Sequence, residues 1–403
     1  MAATDVVEGK APARHATERK YESLIWGGGA WLALRLIASL AAWASLGWLT
    51  QGTTSQVGGY TPPVLHGVLR ILAGPWLRAD AMWYLRIADA GYKGTTGTYA
   101  FLPLFPLLVR LVKPLTAGQP LYAGLLVANA ACLAGFVWLY GFVASLVGRR
   151  AARATVVGLA LFPFSFFLVA PYGEPLLLAA GAGALLLAQR DRPVLAGLAG
   201  AAAALSRPFG VLIAIPLFAY LLTRGRLRRP AWWLAPLGPA LGLVGWLAWS
   251  GSQLHDFLGA LHIQTVWQRS TTLPWETLNS GVRIWITFRG SLYGPYFLMD
   301  ILATAFGIAL FLLVWVVVDL HGGSRWLAAA LSIYGLVVLA IPLSSPFPPR
   351  PLMSMPRFVL ALFPLFMVYD LIKPRLLRVP LAVISAGGLA WATALYVAAR
   401  PIF

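Results

Sequence analysis

The chain is predicted to be an all-α, polytopic membrane protein, and three observations predict it. Hydrophobic residues make up 59 % of the 403 residues and charged ones only 11 %, against about a quarter charged in an ordinary soluble domain. Runs of eighteen or more apolar residues recur along the chain, each long enough for the roughly 30 Å of bilayer hydrocarbon. The short period-2 strands of a membrane barrel are absent.

The elements follow in order. The polar residues 1–22 read as a disordered cytoplasmic tail, and residues 23–403 as a single transmembrane domain. With a polar start and a first apolar run too long for an h-region, no cleavable signal peptide is expected. A first span covers Leu24–Leu49, followed by an outer loop over about 50–118. Further spans are read at 120–147, 153–171, 175–189, 193–206, 208–223, 231–250, 296–318, 326–343, 358–372 and 379–399, about eleven in all. Two more outer loops occupy about 250–295 and 344–357, the latter "SSPFPPRPLMSMPR". The spans are read as free of mid-span charge, which argues against the ion relay of a transporter.

The formal charge of +18 does not point to nucleic acid. Many of the basic residues cluster between apolar runs: Arg149-Arg150-x-x-Arg153, Arg190-Asp191-Arg192, Arg224-x-Arg226-x-Arg228-Arg229, and Lys373-Pro374-Arg375-x-x-Arg378. Placing all four inside obeys the positive-inside rule, with the amino terminus cytoplasmic and the carboxyl terminus outside. Cys132, alone in an apolar run, offers neither a disulfide nor a thiolate metal site.

One stretch breaks the apolar monotony. "WLRADAMWYLRIADAGY" (76–92) places two Asp, two Arg, two Trp and two Tyr in seventeen positions. Its spacing of Asp80, Trp83, Tyr84 and Ile87 suits an amphipathic juxtamembrane helix with aromatics at headgroup level. Asp89 stands nine residues on, about 180° around the helix, so the two carboxylates do not form a dyad. Asp80 fits either a helix N-cap or a carboxylate facing a cavity, where it would serve as a general base. Glu174, between two apolar runs, is costly unless paired or functional. It fits a cap, a partner for an arginine, or a contact to an acceptor. His262 lacks ligands at metal spacing, and His255-Asp256 reads as a possible pair.

The motif "RADAMWYLRIADAGY", followed by "FLPLFPLL", resembles the PIG-V family of membrane mannosyltransferases. "FPFSFFLVAPYGEPLLL" (162–178), "LSRPFG" (205–210) and "MPRFVLALFPLF" (355–366) resemble later motifs of that family in the same order, together spanning about 75–370. Phe209 stands where Thr is common, and Gly173 where a small hydroxyl is usual. The resemblance implies a GT-C-type glycosyltransferase; no cofactor is expected, and nothing in the spacing of the residues calls for a metal. Its donor would be a polyprenyl-phosphate mannose lipid and its acceptor a hydroxyl on a glycolipid, lipid-linked glycan or protein. The reaction would invert the anomeric centre, with Asp80 as general base.

The leaving phosphate needs positive charge rather than a proton, which makes Arg207 and Arg357 its candidate contacts. Glu174, Trp83, Tyr84, Tyr172, Gln264 and Trp267 are the candidate substrate contacts. Rival readings are a transporter or lipid flippase, the same scaffold with another sugar donor, and a non-catalytic scaffold. The Ala-, Leu- and Arg-rich composition without an N-x-S/T site points to a bacterial cell membrane, and the resemblance implies an active site facing outside.

Overall fold

The computed structural model describes residues 11–48, 57, 60, 61, 65, 67–263, 269–373 and 375–398. Among them the regular elements are all helices, apart from two isolated bridges, Val57–Tyr60 and Phe347–Arg350. The first span belongs to α1 (Ala11–Trp48). The loop that follows holds α2 (Gly67–Ala73), α3 (Asp80–Ala90) and α4 (Leu104–Val112). The bundle continues through α5 (Pro120–Leu146), α6 (Arg149–Leu161), α7 (Glu174–Gln189), α8 (Pro193–Ser206), α9 (Ala214–Thr223) and α10 (Pro230–Leu254). After the short α11 (Gly259–His262) come α12 (Pro274–Phe288), α13 (Gly294–Leu320), α14 (Arg325–Leu343), α15 (Met355–Phe358) and α16 (Arg375–Val397).

Six helical segments are long and apolar enough to cross a bilayer: Tyr21–Leu46, Pro120–Leu146, Pro230–Leu254, Gly294–Leu320, Arg325–Leu343 and Leu376–Val397. Glu174–Gln189, Pro193–Ser206 and Pro208–Thr223 are apolar but shorter. The protein is an integral membrane protein. Between α15 and α16 the chain runs as a tight helix over Val359–Leu371, kinked at Leu362 beside Pro364. There the Tyr334 hydroxyl donates to the Ala361 carbonyl, so the kink does not strand that acceptor.

Small residues set the closest helix crossing. A Cβ on Gly238 would lie 2.1 Å from the Gly197 carbonyl oxygen, and one on Gly197 2.2 Å from that of Leu234. α8 and α10 therefore touch backbone to backbone, as in other membrane helix pairs.

The basic clusters gather at one end of the bundle. Arg149 and Arg153 reach Glu22, Arg150 reaches Asp370, and Arg224 and Arg226 reach Asp191. Gln189 at the end of α7 donates to the Phe142 carbonyl near the end of α5, which joins these groups at one level. Glu174 opens the same α7, about 22 Å away along its axis.

The expectation of spans free of internal charge is corrected at two positions. Arg35 stands near the middle of α1, where its guanidinium covers the Trp76 ring at 5.1 Å and donates to the Val169 carbonyl at 3.4 Å. Asp300 lies inside α13, buried and paired with Arg350. Both charges are matched locally, which is how a bundle tolerates them. Outside the spans, Asp256 pairs with His262 at 2.6 Å, while His255 takes a left-handed conformation at the end of α10.

Candidate active site

α3 is the first piece of the site. Ala81, Met82 and Tyr84 to Ala88 are buried, with α4 and α5 packed against the helix, so it is covered on most of its circumference. Its two carboxylates diverge as the periodicity requires. Asp89 accepts from Lys113 at 2.8 Å and from the Tyr60 hydroxyl at 2.9 Å. Asp80, in the first turn, makes no capping bond to the backbone and points the other way.

Asp80 Oδ2 accepts a hydrogen bond from Arg357 at 2.5 Å. No other hydrogen bond to this carboxylate is made among the described residues, and 23 % of its side chain stays open. Arg357 belongs to α15, just ahead of the kinked Val359–Leu371 segment. Its guanidinium also approaches Glu174 Oε1, through Nε at 3.4 Å. Around it stand the rings of Phe167, Tyr172 and Phe358, at 5.8 to 5.9 Å. Burial opposes the charge on Arg357, but Asp80 first and Glu174 second more than reverse this and hold its pKa above the ordinary arginine value.

Glu174 connects a second arginine. Its Oε1 lies 3.4 Å from Arg207 Nη2, and Arg207 Nη1 donates to the Tyr84 hydroxyl at 3.3 Å. Glu174 opens α7 without capping it, and neither of its buried oxygens makes a close hydrogen bond among the described residues. The local backbone brings these groups together. A Cβ on Gly173 would sit 2.6 Å from the Ser206 carbonyl oxygen and 3.0 Å from Arg207 Cδ. Any side chain there would push α8 away, which accounts for glycine where the resemblance leads one to expect a hydroxyl.

These groups border a cavity of about 510 Å³ lined by Asp80, Trp83, Phe101, Arg207, Phe209, Arg269, Arg357 and Phe358, among others. Trp83 stacks on Phe101 at 5.5 Å, and Phe209 meets Phe358 edge-on at 5.2 Å. Tyr84, Tyr172 and Glu174, read from the sequence as substrate contacts, are buried behind this lining. There they hold the arginines. Gln264 and Trp267 lie outside the described residues.

Arg269 was not singled out from the sequence. It donates to the Ser345 carbonyl at 2.7 Å and lies over the Phe358 ring at 5.9 Å. Burial, aided by Arg357, pulls its pKa down, though a guanidinium stays protonated. The only hint in the sequence was an arginine inside the polar outer stretch "HIQTVWQRSTTLPW". Three guanidiniums against two carboxylates leave this end of the cavity net positive.

Two positions on the cavity wall hold non-glycine residues at positive φ: Ala79 at 47° and Ser354 at 70°. Each stands just ahead of a charged member of the site, Asp80 and Arg357. Such conformations persist only where the surroundings impose them. Among the described residues no three His, Cys, Asp or Glu side chains cluster as a metal site.

The structure superposes on ArnT from Cupriavidus metallidurans, solved with undecaprenyl phosphate bound, over 92 % of this chain and 76 % of ArnT, at 13 % identity and a TM-score of 0.50. At that identity the likeness is one of fold. Two structures of the Archaeoglobus fulgidus oligosaccharyltransferase are more distant. One carries an inhibitory peptide and a dolichol-phosphate (11 % identity, TM-score 0.40) and the other a tethered acceptor peptide (12 %, 0.41). They align with 93 % and 94 % of this chain, which spans only about half of their length (56 % and 55 %). No family model matches the chain, and neither does any curated protein.

Proposed function

We propose that this protein is a membrane mannosyltransferase of the PIG-V type. It moves mannose from a polyprenyl-phosphate mannose to a hydroxyl of a glycolipid, lipid-linked glycan or protein, on the outer face of a bacterial cell membrane. The observation that carries this reading is the cavity itself: one partly open carboxylate, Asp80, beside Arg357, Arg207 and Arg269.

The chemistry follows from the charges. The acceptor oxygen attacks C1 of the sugar from the face opposite the phosphate, and the C1–O bond to phosphate breaks as the new C1–O bond forms. The acceptor proton passes to Asp80, which is within reach of an atom in the cavity. The lipid phosphate leaves as an anion and needs no acid. Guanidiniums already oriented by Glu174 and Tyr84 receive its charge without reorganising. In the resting protein Arg357 is committed to Asp80, and a bound phosphate competes for it, which leaves the carboxylate more basic. The wall of Trp83, Phe101 and Phe209 gives a sugar apolar faces to rest on.

Membranes carrying the protein, supplied with radiolabelled polyprenyl-phosphate mannose and a lipid extract as acceptor pool, test this reading. Asp80→Asn should lower transfer by about 10² or more at unchanged expression. Equal transfer by both proteins removes Asp80 from the mechanism. Transfer from an arabinosyl or glucosyl donor, but not from the mannosyl one, changes the sugar and keeps the site.

A further inference from the structure

A second concavity lies at the opposite, basic end of the bundle, between α1, α6, α16 and the Val359–Leu371 segment. Its volume is about 370 Å³. Its mouth is built from Arg150, Arg153 and Arg378, and its interior from side chains such as Val157, Leu161 and Leu381. From Arg150 to Leu161 the groove follows α6 for about 16 Å, roughly half of the ~30 Å hydrocarbon thickness. It is therefore charged at one end and apolar from Ala154 to Leu161, about 10 Å along α6.

The charges at the mouth are not cancelled. Glu22 meets Arg149 and Arg153, and Asp370 meets Arg150 and His321. With Arg378, four guanidiniums face two carboxylates among the described side chains. Arg378 donates Nε to the Ile372 carbonyl, while its Nη2 is buried with no hydrogen-bond partner among the described residues. Arg153 lies over the Trp26 ring at 5.0 Å, an arrangement suited to the level of the headgroups. Orientation by the positive-inside rule needs only the presence of these arginines. It does not need three of them around one apolar groove.

We propose that this groove is a binding site for an anionic glycerophospholipid of the leaflet at the basic end. One acyl chain would lie along α6 and the phosphodiester among Arg150, Arg153 and Arg378. Basic pockets between membrane helices on this side are suited to anionic headgroups. The site is separate from the Asp80 cavity and does not depend on glycosyl transfer.

Native mass spectrometry of the full chain, released from nanodiscs of equal phosphatidylglycerol and phosphatidylcholine, tests it. The wild type should retain phosphatidylglycerol over phosphatidylcholine by about tenfold. The doubly substituted Arg153→Gln/Arg378→Gln protein should lose that preference. Arg190→Gln/Arg192→Gln, which removes the same charge from the same end outside the groove, should keep it. Ala154→Phe, which fills the groove and leaves the arginines, should lower retention of both lipids. Equal retention of the two lipids by the wild type overturns the proposal without reference to any variant. An equal loss of preference in both double variants overturns it as well, because general charge would then explain the selectivity.

Discussion

Two arginines seven residues apart, Arg350 and Arg357, are both buried against carboxylates, yet they are built differently. Arg350 grips Asp300 with two bonds of 2.6 and 2.9 Å and adds the Tyr296 carbonyl at 3.5 Å. Its carboxylate is 1 % exposed and lines no cavity described above. Arg357 makes one short bond to Asp80, leans on Glu174 at 3.4 Å, and borders open space. The first pair satisfies its own fork geometry and is complete. The second is a cluster whose donors exceed the close acceptors around them, which is what an anionic ligand requires. A closed pair holds the loop on the bundle, while an open one leaves charge available for chemistry.

Substitutions should separate the two. Asp300→Asn leaves Arg350 buried without its counter-charge. It should cost about 3–5 kcal/mol of stability, read as a lower midpoint in thermal unfolding, while transfer per folded molecule stays near wild type. Arg357→Lys should do the reverse: a point charge cannot serve Asp80, Glu174 and a phosphate at once. Transfer should drop by about 10², with the unfolding midpoint moved little.

Glu174→Gln keeps the shape but releases Arg207 and Arg357 from their shared acceptor. A loss of about tenfold in kcat is expected, equivalent to about 1.4 kcal/mol; unchanged kcat would mean that Glu174 does not orient them. The smallest effect belongs to Ala79→Gly. Relief of the positive φ should raise stability by about 1 kcal/mol and lower transfer modestly, as Asp80 loses a rigid neighbour. A gain in both would show that the strain has no part in the site.

Much of the open cluster could be read in the sequence. Asp80, Glu174, Arg207 and Arg357 each sit in a short motif, and all four meet within one site. The closed pair could not be read, because Asp300 and Arg350 are fifty residues apart and neither carries a local signal. Arg269 was hidden by its setting, where a single arginine among Gln, Ser and Thr looks like a solvated loop residue.

Tyr84 and Tyr172 stand behind the cavity lining rather than on it, which their positions in the sequence do not show. Periodicity gives the face of a helix, and only packing against α4 and α5 shows that the Tyr84 face is buried. Arg35 shows the converse. A charge inside an apolar span is invisible to a hydropathy average, and its partners, Trp76 and Val169, come from distant segments.

The central claim is that Arg357 answers to both Asp80 and a lipid phosphate, while Asp80 acts only in the transfer step. The most direct test is one variant with two readouts: purified Asp80→Asn, assayed for undecaprenyl phosphate binding and for mannosyl transfer. The account predicts binding as tight as wild type or tighter, because Arg357 is released, together with loss of transfer by about 10² or more. Binding and transfer falling together would contradict it and make Asp80 a structural partner of Arg357.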